Sequence, residues 1–152
     1  MTEILANPES INSVSQLIKL SVAPAFLLAS VGGLLGVFSG RISRIIERFD
    51  KIDALLFNST DKLKVEKLNK QRSYLEKRAD NMNRSIFFCT ATGILIAFSI
   101  IIIFMSAFFV FDGSTAIATL FIAGMLSLVS GLSLFLKEIF MATRFLKRDI
   151  VY

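Results

Sequence analysis

Three stretches of this chain carry no charged side chain: Leu20–Gly40 (21 residues), Ile86–Phe111 (26) and Gly113–Leu136 (24). A hydrocarbon core of ~30 Å takes about 20 helical residues, so each run is long enough to cross a bilayer. Strands of a membrane barrel would alternate apolar and polar residues over roughly ten positions, and these runs do not alternate. The expectation is an all-α membrane protein with three transmembrane helices, at about 17–40, 86–111 and 115–136. They form a single membrane domain over 1–152. Composition agrees: 54% of residues are hydrophobic and mean hydropathy is +0.66, too apolar for an ordinary soluble domain.

The first run does not read as a cleaved signal peptide. Glu3 and Glu9 precede it with only Lys19 as a cation, where a signal has a basic leader and a short apolar core. Charge placement then predicts topology. Residues 41–84 hold 12 of the 17 Lys and Arg, and the tail from 137 holds four more. Spans two and three are linked only by Asp112-Gly113. Basic segments stay inside, which puts 41–84 and the C-terminus in the cytoplasm and the N-terminus outside, in a multi-pass protein of the cell inner membrane. The net charge of +5 is then explained by orientation and by contact with anionic headgroups at the cytoplasmic leaflet. No nucleic-acid motif accompanies it.

The cytoplasmic segment has helical periodicity. Ile42, Ile45, Phe49, Ile52 and Leu56 follow the 3-4 spacing of a coiled-coil seam, and Val65, Leu68, Leu75, Ala79 and Met82 form a second one with Arg72 at a core position. Between them "FNSTD" offers Ser59, Thr60 or Asp61 as N-cap. The segment 41–84 therefore reads as a cytoplasmic antiparallel helical hairpin. No breaker lies between Ala25 and Phe57, so the first two spans are expected to be continuous with the hairpin helices. Pro24 predicts a kink or a late helix start in span one. Asn58-Ser-Thr and Asn83-Arg-Ser match a glycosylation sequon but fall on the cytoplasmic side.

At about 100° per residue, the first helix has three faces. Ala25, Ala29, Gly32, Gly36 and Gly40 share one, a stripe that lets helix backbones approach closely in lipid. Ala123, Ser127 and Gly131 repeat the device in span three, and Cys89, Gly93 and Ala97 in span two. Such stripes serve packing within one chain or between copies of a homo-oligomer. A second face carries Lys19, Ala23, Phe26, Ser30, Val37, Arg41, Arg44 and Arg48. These arginines either snorkel to headgroups and pair with Glu47, Asp50 and lipid phosphate, or line a central pore with basic rings at both mouths. The third face, Leu27, Val31, Leu34 and Phe38, continues into the Ile42–Leu56 seam. Glu138, ending span three beside Lys137, is expected at interface depth, where a carboxylate needs a cation. Arg144 lies within two turns of it, and the arginines of the first helix belong to the same leaflet.

"VAPAFLLASVGGLLGVFSGRISRIIER", "NRSI" and "KEIFMATRFL" resemble the corresponding stretches of a bacterial family of three-span membrane proteins, a domain of unknown function (DUF2721). The likeness covers roughly residues 12–148. It includes the Ala-Pro of span one, the arginines after it, the Asn-Arg opening span two and the Glu…Ala-Thr-Arg closing span three. Members often have an Asn near the inner end of span one, where this chain has Val37-Phe38-Ser39. The resemblance implies fold and topology and no activity.

An enzyme is not expected. Cys89 has no base in its span, the chain has no His, and the acids at the ends of the apolar runs are isolated, so nucleophile–base pairs and metal ligand sets are missing. No metal or cofactor is implied. Two functions remain: a small homo-oligomeric ion channel with span one lining the pore, or a non-conducting membrane-anchored assembly or regulatory protein that docks through the hairpin.

Overall fold

The computed structural model describes residues 8–109 and 113–149, with side-chain detail at 15–106, 109 and 113–142. It is all-helical: α1 (Pro8–Phe57), α2 (Lys62–Phe108) and α3 (Ser114–Asp149). Each contains a stretch long and apolar enough to cross a membrane, and the most apolar windows of the three have mean hydropathies of 2.0, 2.6 and 2.0. The chain is a multi-pass membrane protein by this measure.

Charged and apolar stretches share the same helices. α1 runs without a break from the apolar run into the arginine-rich segment, and α2 does the reverse. The expected late start at Pro24 is corrected: α1 begins at Pro8 and continues through Pro24. Proline lacks one donor, but its ring sits on a buried position, and hydrogen bonds on either side carry the helix through. Pro8 opens α1, where a missing N–H costs nothing. Between α1 and α2, Ser59 donates its N–H to Leu56 O at 3.3 Å. Asp61 is the cap that forms, its Oδ1 accepting from the Leu63 N–H at 3.1 Å.

Burial recurs every seven residues on all three helices. On α1 the buried positions are Pro24, Val31, Phe38 and Ile45, the third face of the sequence reading. On α2 they form two columns, Leu68-Leu75-Met82-Cys89-Ile96-Ile103 and Ser85-Thr92-Ser99, and on α3 they are Gly124, Gly131 and Glu138. A seven-residue repeat is close to two helical turns, so one face of each helix stays on its neighbours. α2 is the most enclosed of the three, with 28% of its apolar window buried against 11% in α1 and α3. Much of the remaining apolar surface faces outward, as it must in lipid: Ile94, Phe98 and Ile101 are each about half exposed.

The described chain forms two compact units, and each helix contributes a segment to both. In the unit holding residues up to 33 and 90–128, a Cβ at Gly93 would meet Leu28 Cδ1 at 3.6 Å. One at Gly124 would meet Ile96 Cγ1 at 3.5 Å. Thr92 Oγ1 donates to Gly124 O at 3.2 Å, so a hydroxyl at the α2–α3 crossing finds its acceptor on the partner backbone. In the unit holding 34–89 and residues from 129 on, Gly131 is pressed against α2: an added Cβ would lie 3.1 Å from Cys89 Sγ and 3.2 Å from Ser85 O. Phe38 stacks on Phe135 with ring centroids 4.4 Å apart. Asn81 Nδ2 donates to Leu134 O and the Tyr74 hydroxyl to Met141 O, both at 2.8 Å. No buried side-chain nitrogen or oxygen among the described residues lacks a partner, as a low-dielectric interior demands.

Candidate functional site

The polar centre of the second unit stands where the apolar runs end. Arg41 follows the last residue of the first run, and Glu138 stands two positions after the last residue of the third. The seven-residue repeat that buries Gly124 and Gly131 puts Glu138 at the next inward position, and it is 1% exposed. A carboxylate buried this far needs cations and donors to remain charged, and two arginines supply them. Arg78 of α2, its side chain 13% exposed, donates from both Nε (3.1 Å) and Nη2 to Oε1. Arg41 donates from Nη1 to Oε2 at 3.4 Å. Each guanidinium also lies against a ring: Arg41 is 5.1 Å from the Phe135 centroid and Arg78 is 5.8 Å from that of Tyr74. Aromatic contact and ion pair together restrict the rotamers of both side chains.

Arg44 and Arg48 follow Arg41 at steps of three and four, the spacing of one helix face. With Arg41, Ile45, Arg78, Glu138 and Ala142 they line an open recess of about 370 Å³. A smaller one of about 280 Å³ adjoins it through the shared Arg48 and Arg78, and adds Lys51, Gln71 and Tyr74. Neither Arg44 nor Arg48 has an ion-pair partner among the described residues. Four guanidiniums and one carboxylate in the larger recess leave an excess of +3 (4 − 1).

The remaining sequence-derived positions fall as follows. Lys19, Phe26, Ser30, Val37, Arg41, Arg44 and Arg48 are all exposed, with Phe26 at 74% and Val37 at 55%. Gly32, Gly36 and Gly40 are exposed too, and a Cβ built on any of them meets nothing within 4 Å among the described residues. The close backbone approach belongs to Gly131, with Ala123 exposed and Ser127 half-buried. The interface charge Glu138 is paired, by Arg41 and Arg78. Arg144 lies on α3 beyond the described side chains, and Asp112 lies outside the described residues. Arg72 pairs with Asp53 at 3.2 Å and rests on Phe49, at 47% side-chain exposure rather than in a core seam. The inward arginine is Arg78, which the spacing of apolar residues alone could not single out. Its signal was the column of polar residues at heptad spacing, Arg78-Ser85-Thr92-Ser99, of which Arg78 meets Glu138, Ser85 lies at Gly131 and Thr92 bonds Gly124. Tyr74 and Asn81, which tie α2 to the backbone of α3, were also not anticipated. Among the described residues no group of His, Cys, Asp and Glu could hold a metal ion.

The pattern of the family described as Protein of unknown function (DUF2721) matches residues 21–148. The chain belongs to this family. That stretch takes in every member of the arginine–glutamate cluster, so the cluster lies within the DUF2721 unit. No curated protein and no solved structure matches the chain.

Proposed function

We propose that this DUF2721 protein works as a homo-oligomer in the bacterial inner membrane, with copies of α1 surrounding a small anion-biased pore. Residues 41–84 form a cytoplasmic antiparallel coiled-coil hairpin in this reading, and the C-terminus is also cytoplasmic. The observation that carries it is the outward surface of α1. Phe26 and Val37 are exposed on the same face as Lys19, Arg41, Arg44 and Arg48, beside glycines at which an added Cβ would meet none of the described residues within 4 Å. Small-residue stripes support helix–helix contact in lipid, and rings of cations at both mouths of a pore would concentrate anions and repel cations.

The test measures mass and current on the same preparation. Native mass spectrometry of the detergent-purified protein is expected to give a multimer that Gly36→Leu disperses while leaving the helical content intact. In planar bilayers the multimer passes anion-biased current. Val37→Ser raises the current by wetting the narrowest apolar ring, and Arg44→Glu with Arg48→Glu shifts the reversal potential toward cations. Arg41 is left alone in this test because it holds Glu138. A cation preference that these substitutions do not move would sink the assignment of the lining face.

One observation favours a non-conducting role instead. At the α1–α2 turn Leu55, Phe57 and Leu63 are 49%, 92% and 79% exposed, an apolar tip suited to docking. Well-folded multimers that pass no current at any voltage, pH or lipid composition would favour that anchored assembly role.

A further inference from the structure

We infer that the recess between Arg41, Arg44, Arg48, Arg78 and Glu138 is a binding site for a phosphoryl group, presented by a lipid headgroup or by a soluble phosphate. This goes beyond the pore and does not depend on it. Like charges gathered in one recess repel each other, and Glu138 balances only one of the four guanidiniums. It also acts as the anchor. By holding Arg78 through two donors and Arg41 through one, it fixes two planar cations before any ligand arrives. A guanidinium has five N–H donors, so both keep donors free.

Arg44 and Arg48 stand exposed beside them without ion-pair partners among the described residues. The acids nearest in sequence do not compensate: by helical rotation Glu47 points about 90° and Asp50 about 150° from the Arg41-Arg44-Arg48 face. A tetrahedral phosphoryl group holds its non-bridging oxygens out of one plane, so it can accept from guanidinium forks that approach from several directions, where a carboxylate offers only two coplanar oxygens. The volume of about 370 Å³ admits a phosphate group with its first ester substituent. Arg41 and Glu138 stand at the ends of charge-free runs, the depth at which phospholipid headgroups lie.

The test uses the full chain reconstituted in nanodiscs of phosphatidylcholine with or without phosphatidylglycerol, and in detergent with inorganic phosphate. Native mass spectrometry counts retained phospholipid, and phosphorus NMR follows inorganic phosphate. Modification by phenylglyoxal, mapped by peptide mass, reports the accessibility of Arg44 and Arg48 in the unaltered protein. The expected result is at least fivefold slower modification of both arginines when one of the two phosphate sources is present. Binding of that source is lost in Arg44→Gln with Arg48→Gln, a pair that leaves the Glu138 ion pairs in place.

Protection by phosphatidylglycerol alone identifies a lipid site and turns the basic face toward the bilayer, which would remove the pore reading while the phosphoryl site stands. Protection by inorganic phosphate alone identifies a soluble ligand and leaves the pore reading open. If neither source slows modification of the unaltered protein, the inference is overturned, whatever the bilayer currents show. Should the double Gln variant fail to fold, Arg44→Lys with Arg48→Lys replaces it: weaker binding is expected, because point charges replace forks. Binding equal to that of the parent chain would overturn the site.

Discussion

Glu138 is the most enclosed charge among the described residues, and its two partners are not equivalent. Arg78 is 13% exposed and donates twice to one oxygen, whereas Arg41 is 43% exposed and donates once at 3.4 Å. Removing one partner of a buried ion pair leaves an uncompensated charge and costs roughly 3–5 kcal/mol. A half-exposed partner contributes less, because water or headgroups screen it. Arg78→Ala is therefore expected to lower thermal stability in detergent by an amount near the upper figure, and Arg41→Ala by clearly less. The order can be read from melting curves followed by circular dichroism. Equal losses would mean that Arg41 is held more firmly than its exposure implies. The need of Glu138 for a cation was legible in the sequence, since a carboxylate at the end of an apolar run has few alternatives. The identity of the main partner was not. Arg78 lies 60 residues away on another helix, whereas the sequence pointed to Arg144 and to the arginines of the first helix.

At the scale of the element, glycine positions divide by what faces them. A methyl group at Gly131 would press on Ser85 O and Phe88 Cβ, both at 3.2 Å, and on Cys89 Sγ at 3.1 Å. Two of these three belong to a helix backbone or its first side-chain carbon and can yield only if the helices separate. At Gly124 the nearest atoms are 3.5 Å or more away, in ordinary contact. Alanine favours a helix over glycine by about 1 kcal/mol, while overpacking costs about 1–3 kcal/mol. Gly131→Ala is thus expected to lower the melting temperature, and Gly124→Ala to leave it unchanged or raise it. A gain at both would show that α2 and α3 have slack. In the sequence, the stripes at 32/36/40 and 123/127/131 looked alike, because spacing reports a face without reporting what lies opposite. The seven-residue columns were the better guide. They pass through Gly124, Gly131 and Glu138, and no stripe four residues apart does.

For the whole molecule, the prediction concerns orientation. In the proposed orientation, the excess of basic residues in 41–84 keeps the α1–α2 turn inside the cell. Thr60→Cys should therefore resist a membrane-impermeant maleimide on intact cells and react once they are opened, while Ser114→Cys should react on intact cells. The parent chain is the blank, since its one cysteine, Cys89, is buried. Labelling at position 60 on intact cells would invert the topology. Three spans, their helical nature and the continuity of α1 and α2 into charged segments were all readable in the sequence. Each follows from local rules: the length of a charge-free run, the need to satisfy backbone hydrogen bonds in lipid, and the absence of a breaker. Tertiary structure alone decided which face of each helix turns inward, which glycines meet a neighbour, and that Arg78 and Arg41 converge on Glu138. These depend on how distant segments rotate against one another, and in lipid hydrophobicity scarcely biases that rotation, because tails and side chains are equally apolar. Close backbone contact and the few buried polar partners settle it instead.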